Sequence, residues 1–314
     1  MMRLIESHNL KVHFKTPAGL VRAVDGVDFH IDAGEKLVFL GETGSGKTVL
    51  GTTIMRLLPS NVHYSGDLMF KGKNLVELSE KEMQDIRGKE IAIIMQNPLT
   101  ALNPCLSIRG HIMDVLQKHK SMNKHEAKVE AARILTEAGI PENLIDYYAH
   151  QLSGGLRQRA MIALGIACDS EILIADEPTK GLDVSVQMQV VRLLKKVTEG
   201  TNKSMFIITH DLGVAAALAD RIAIMYCGRI LEIGTAQEIF EQPEHPYTKG
   251  LINAHPCKGL HPIDGFSASL VDLPEGCVFA PRCPYATNRC RTKEPADIKL
   301  SSTHKVRCYH VDCQ

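Results

Sequence analysis

Residues 36–58 read KLVFLGETGSGKTVLGTTIMRLL, and this stretch decides the fold. An apolar run at 36–40 enters a glycine-rich turn at 41–48, and the residues after it carry helical spacing. The turn fits G-x-x-x-x-G-K-[ST]. Glycines let successive backbone N–H groups face inward around phosphate oxygens, so Gly41, Glu42, Thr43, Gly44, Ser45 and Gly46 form a cradle. Lys47 reaches the β- and γ-phosphates of a nucleotide, Thr48 offers its hydroxyl to Mg²⁺, and the helix start adds its positive dipole end. A glycine-rich chain reversal can also be purely structural. With a strand before it and a helix after it, the stretch reads as a nucleotide site.

Around this unit lie three more continuous apolar runs: EIAIIM before Gln96, EILIA before Asp176 and SMFIIT before His210. Strands buried on both faces have this character, which parallel α/β sheets require. Each run ends at a polar residue, and ligands bind at the carboxyl ends of such strands. The first ninety residues also carry alternating segments, LKVHF, VDFHI and DLMF, broken at Pro17-Ala18-Gly19, Asp32-Ala33-Gly34 and Ser65-Gly66. They predict an antiparallel sheet. Helical spacing replaces strand signals between Ser107 and Ala167, with a stop at Gly139 and Pro141. RIAIMYCGRILEIG reads as a hairpin turning at Cys227-Gly228. Beyond residue 245 periodicity fades, which sets the expected domains at 1–245 and 246–314, with a helical subdomain at about 98–165.

Two further motifs carry chemistry. In EILIADEP, residues 171–178, Asp176 is placed to hold Mg²⁺ and Glu177 to reach a water near the γ-phosphate as general base. Adjacent strand residues point to different sides, which separates the two roles. An acidic helix cap is the ordinary alternative for such a pair. In QLSGGLRQRAMIALGIA, residues 151–167, Ser153, Gly154 and Gly155 open a helix whose exposed N–H groups face an anion. A serine cap with permissive glycines is the ordinary reading of that triplet alone.

With LSGG in place the chain closely resembles the ATP-binding subunits of ABC transporters, whose signature it is. Phe14 matches the aromatic residue that stacks on adenine, and Gln96 the glutamine that senses Mg²⁺ and lines the membrane-subunit interface. Asp183 in Gly181-Leu182-Asp183 matches the loop that crosses to a second cassette, and His210 the switch histidine on the γ-phosphate. The resemblance implies a P-loop cassette of the α/β class: a parallel core, an antiparallel β subdomain, a helical subdomain and a small Cys-rich extension. It implies two cassettes paired head to tail, each ATP lying between the phosphate loop of one and Ser153, Gly154, Gly155 and Gln158 of the other. Hydrolysis at Glu177 and His210 then releases the pair, and the movement passes to membrane subunits.

QNPLTALNP, HPYTKGLINAHP and GCVFAPRCPYATNRC resemble the dipeptide, oligopeptide and nickel importer branch of that family. The branch implies peptide import, with nickel or a metal chelate as the alternative. Its expected partners are a second, related ATPase, two transmembrane permease subunits and an extracytoplasmic binding protein, with the chain on the cytoplasmic face of the membrane. Thr43, Thr48 and Leu156 depart silently from the commoner residues. Lys180-Gly181 replaces the usual small or hydroxyl pair before Leu182-Asp183.

Cys277, Cys283, Cys290 and Cys308 are separated by 5, 6 and 17 residues, without the tight pairs of a zinc ribbon. Iron–sulfur clusters accept thiolates at varied spacings. In the resembled branch such a tail is associated with a 4Fe–4S cluster, with zinc as the alternative. Cys257 and Cys313 flank the set as substitute ligands. Cys105, Cys168 and Cys227 read as small buried apolar residues.

Composition bears on the remaining classes. The 36 Lys and Arg balance the 36 Asp and Glu, so no overall field attracts nucleic acid or anionic lipid. That balance, with a single cassette, disfavours a soluble ABC ATPase acting on nucleic acid or ribosomes. Intact Glu177 and His210 disfavour a non-hydrolysing regulatory cassette. No apolar run approaches the roughly 18 residues of a membrane helix, and the start lacks the apolar stretch of a secretory signal.

Overall fold

The computed structural model describes residues 2–311. It divides into two compact units, residues 1–78 with 208–314 and residues 79–207, and each is described by itself. The first unit begins with β1 (Arg3–Thr16) and β2 (Gly19–Asp32), then β3 (Lys36–Leu40), α1 (Lys47–Ile54), β4 (Val62–Phe70) and β5 (Lys73–Asn74). β2, β1, β4 and β5 form, in that order, the expected antiparallel sheet.

One expected break is absent. Ser65-Gly66 lies inside β4, and the pairing register with β1 shifts between His8 and Lys11. Gly66 takes φ 78° opposite Asn9 at φ 45°, and a Cβ there would come within 2.3 Å of the Asn9 carbonyl oxygen. The glycine serves a bulge rather than a turn.

The second unit runs through α2 (Glu80–Ile86), β6 (Ile91–Ile94), α3 (Pro98–Ala101), α4 (Ile108–Lys120), α5 (Lys124–Glu137), α6 (Gly154–Ile166), β7 (Ile172–Asp176) and α7 (Val184–Thr198). It ends in β8 (Ser204–Thr209), which carries the chain back to the first unit. β7 lies between β6 and β8, and β6 pairs with it in parallel. Every residue of β7 is buried, as its continuous apolar run predicts. The helical insertion packs on its own core. Ile108, Ile112 and Leu116 of α4 face Ala127, Ala131, Ile134 and Leu135 of α5, positions that share one side of a helix. Burying Leu116 alone is worth about 2 kcal/mol. Asn123 and Glu126 close α5 in a capping box, and Gly139 at φ 81° stops it where the sequence places the stop.

Back in the first unit come α8 (Leu212–Leu218), β9 (Arg221–Tyr226), β10 (Arg229–Thr235), α9 (Ala236–Glu241), α10 (Pro246–Asn253), α11 (Asn288–Thr292), β11 (Ile298–Lys299) and β12 (Lys305–Val306). β9 and β10 form the expected hairpin, with Cys227 at φ 44° and Gly228 at φ 79°. Two positive φ values in a two-residue loop suit the twist of the flanking strands. β9 lies parallel to β3, and β10 pairs with β12, so the C-terminal residues extend this sheet in the order β11-β12-β10-β9-β3. No described helix is long and apolar enough to cross a membrane.

Candidate functional site

The loop at 41–48 is shaped by what surrounds it. A Cβ on Gly41 would lie 2.1 Å from the Met225 carbonyl oxygen, and one on Gly46 would lie 2.0 Å from that of Ala23. No side chain fits at either place, so the loop backbone packs directly on its neighbours. Ser45, Gly46 and Lys47 are buried, whereas Thr43, Gly44 and Thr48 are exposed. The Lys47 ammonium donates to the carbonyls of Gly41 (2.8 Å) and Glu42 (2.7 Å) and to Ser45 Oγ (3.1 Å). The loop thus wraps its own cation. Gly46 caps α1 without a side chain, and the first turn holds no acidic residue. Its leading N–H groups are therefore suited to an anion.

In the same unit Phe14 is half-buried on β1, opposite Val21 of β2 and Val62 of β4. His210 is exposed directly after β8. Asp211 next to it caps α8 by accepting from the Val214 N–H at 3.0 Å, which fixes the chain direction at His210.

In the second unit Asp176 ends β7 and is 5% exposed, and Glu177 follows at 7%. Glu177 has φ 47°, a left-handed conformation that costs energy for a residue with a side chain. It has left the strand, so strand alternation does not govern its side-chain direction. Gln96 follows β6 and is half-buried. A cavity of about 370 Å³ is lined by Gln96, Gly154, Gln158, Lys180, Gly181 and Leu182, among others. Three separate sequence motifs meet there. Gln158 is 3% exposed, and its Nε2 has no hydrogen-bond partner among the described residues. Ser153 and Gly154 are exposed at the start of α6, with Ser153 Oγ accepting from the Leu156 N–H. Asp183 caps α7, accepting from the Val186 N–H (3.0 Å) and the Ser185 hydroxyl (2.7 Å), and the hydroxyl bond holds its carboxyl below the usual range.

Cys277, Cys290 and Cys308 are buried, Cys283 is intermediate, and all four are free thiols. They are neighbours: Cys277 feels the charges of the other three, Cys283 that of Cys290, and Cys308 those of Cys283 and Cys290. Cys277 is pushed up to about 11 by burial, and Cys283 and Cys308 are raised for the same reason. Backbone N–H groups of Phe279, Tyr285 and His310 donate to the sulfurs of Cys277, Cys283 and Cys308. His310 Nε2 lies 3.9 Å from Cys290 Sγ. Among the described residues, no group of three or more His, Cys, Asp or Glu is closed tightly enough to hold a metal ion. Cys257 is exposed, and Cys313 lies outside the described residues. Of the three cassette cysteines expected to be buried, only Cys227 is; Cys168 is intermediate, and Cys105 is exposed in the loop before α4.

The family model for the ABC transporter matches residues 24–180, and that for the oligopeptide/dipeptide transporter C-terminal region matches residues 231–290. The oligopeptide transport ATP-binding protein OppD of Bacillus subtilis is 45% identical over 317 residues, covering 98% of this chain and 88% of that protein. The chain belongs to the ABC transporter family. The dipeptide transport ATP-binding proteins DppD of Bacillus subtilis (44% identical, 99% of this chain, 96% of that one) and of Escherichia coli K12 (40%, 98% and 97%) are similar throughout. Among solved structures, the dimeric ATP-binding cassette MJ0796 in a post-hydrolysis state with ADP and Pi covers 74% of this chain and 99% of its own, with a TM-score of 0.68 at 26% identity. The α/β cassette fold expected from the motifs is the fold observed.

Two features of this ABC cassette escape the motif reading. A Cβ on Gly155 would lie 2.5 Å from Val186 Cγ1, so this signature glycine also lets α6 pack against α7. Glu42, a position the loop pattern leaves open, is bound by Arg282 at 2.9 and 3.0 Å from 240 residues away. The first is hinted at by glycine at a helix start. No local signal announces the second.

Proposed function

We propose that the chain is the ATP-hydrolysing subunit of an importer of di- or oligopeptides. The observation that carries this is the joining, in one chain, of a phosphate loop closed on Lys47 with a C-terminal region of the oligopeptide/dipeptide type. In this reading residues 41–48 cradle the phosphates and Phe14 stacks on adenine. Thr48, Gln96 and Asp176 would hold Mg²⁺, which neutralises phosphate charge; a buried carboxylate and a hydroxyl at a helix start are suitable hard donors. Glu177 polarises the attacking water, and His210 sets the γ-phosphate geometry. Ser153, Gly154 and Gly155, backed by the buried Gln158, engage ATP held by a partner cassette, and Asp183 faces that partner.

Exposed apolar residues support the partner surfaces. Val184 is 76% exposed and Met188 47%, both beside Asp183 on α7, while Met95 and Leu99 flank Gln96. The partners are a second, related cassette, two permease subunits that hold the chain at the cytoplasmic face, and an extracytoplasmic binding protein. Residues 1–245 serve as the cassette and 246–314 as an extension. Reconstitution of the assembled complex tests the reading: ATP hydrolysis should rise with a peptide-loaded binding protein. Stimulation by nickel or a metal chelate instead would move the chain to the metal side of the branch.

Cys277, Cys283, Cys290 and Cys308 would hold a 4Fe–4S cluster. What supports this reading is chemical: N–H groups are directed at three of the four sulfurs, and such bonds stabilise thiolates. Burial raises the pKa values of Cys277, Cys283 and Cys308, and metal binding reverses that cost. When bound, the cluster supplies cross-links to a segment with few large apolar residues.

A further inference from the structure

Glu42 is held from three sides. Its N–H donates to Tyr247 Oη (3.1 Å), its carbonyl accepts from Lys47 Nζ (2.7 Å), and its carboxylate binds Arg282 Nη1. The Ser267 hydroxyl donates to the same carboxylate. Arg282 is itself fixed: Nε donates to the Asp264 carbonyl (2.9 Å) and Nη2 to that of Ile263 (3.3 Å). Its guanidinium lies 5.7 Å from the Tyr226 ring centroid and 6.0 Å from that of Phe279. Tyr226, Tyr247 and Phe279 pack together with centroids 4.7 to 5.5 Å apart. The Arg282 side chain is 7% exposed.

The chemistry of this pair is unusual for its place. A carboxylate within an anion-binding loop repels the triphosphate the loop should hold. Burying an arginine is costly unless its charge and donors are matched. Each residue cancels the other's liability, and the planar fork reaches Glu42 and two carbonyls together, which a lysine ammonium does not. Asp264, Ile263, Ser267 and Arg282 all belong to the C-terminal segment. That segment therefore sets both the shape and the charge of the phosphate loop.

We propose that Arg282 is a positioning residue for nucleotide binding, acting through Glu42 to hold and neutralise the phosphate loop. This rests on the reading of residues 41–48 as the ATP site. The test is the ATP affinity of the full-length chain, by equilibrium titration at two ionic strengths. Arg282→Gln should weaken ATP at least about tenfold, more so at low salt, because it leaves the Glu42 carboxylate uncompensated. Adding Glu42→Gln to that variant should restore affinity to within about threefold of wild type. An arginine that merely stabilises the fold would show no such rescue.

Unchanged affinity in Arg282→Gln, or a double variant no better than the single one, overturns the proposal. If Arg282→Gln does not fold, Arg282→Lys takes its place, with an expected loss of about threefold at unchanged melting temperature; unchanged affinity there overturns it equally. Lys47→Ala separates the two levels. If it binds ATP normally, the site reading itself fails; if it loses ATP while Arg282→Gln does not, only the role of Arg282 falls.

Discussion

His304 Nε2 lies 2.8 Å from Glu232 Oε1, with both side chains buried. Glu232 also accepts the Glu244 and His245 N–H groups, at 2.8 and 3.0 Å. The Glu232 hydrogen bond raises the His304 pKa, and the charges of Glu232, Glu238 and Glu244 add to it. Burial instead lowers His245 to about 4, and its Nε2 has no partner among the described residues. A raised folded-state pKa gives stability that is complete below the unfolded value of about 6.5 and is lost as pH rises through the folded value. The depressed His245 pKa acts in the opposite sense, removing about 3 kcal/mol as pH falls from about 6.5 to about 4. Denaturant titrations across pH should show these opposing slopes on the two sides of about 6.5. His304→Gln should abolish the His304 contribution on the alkaline side and cost about 3 kcal/mol near neutrality. An alkaline slope unchanged in that variant would remove the ion pair from the account.

Glu177→Gln keeps the size of the side chain and its left-handed backbone while removing the basic carboxylate. ATP affinity should stay within about threefold, whereas turnover of the assembled transporter should fall by about 10²–10⁴. Single-turnover hydrolysis separates the two, and retained turnover would show that another group activates the water.

The sequence exposes what depends on neighbours along the chain. β3, β6, β7 and β8 are legible because strands covered on both faces must be apolar throughout. The hairpin at Cys227-Gly228 and the helix stop at Gly139 follow from local backbone demands. The same rules mislead at Ser65-Gly66, because a glycine needed for a bulge looks like a glycine needed for a turn. They are silent on Arg282 and Glu42, which only the tertiary fold brings together. Glu177 was legible as a residue but not in its φ of 47°, which no composition signal encodes.

Gly155→Ala should expose the packing duty of the signature glycine. The added Cβ would sit 2.5 Å from Val186 Cγ1, and a β-branched side chain on a helix has little rotamer freedom to yield. Overpacking of this kind costs about 1–3 kcal/mol. Val186→Ala in the same chain should recover most of the loss. Denaturant midpoints of the two single variants and the double variant decide the matter, since purely additive losses would mean that the clash is relieved elsewhere.

The cysteine segment gives the last test. Val278, Phe279, Ala280, Pro295 and Val306 are buried apolar residues of it, and Phe279 packs on Tyr226 and Tyr247. So small a core cannot order the loops around Cys283 and Cys290 alone, whereas metal–thiolate bonds supply folding energy directly. Protein purified without oxygen should be brown and carry about four irons with matching sulfide per chain. Cys290→Ala should lose both and become sensitive to proteolysis within residues 276–310. One zinc per chain in colourless protein would replace the cluster by a mononuclear site. Metal-free protein with the same protease resistance would show that the thiols are held by packing alone.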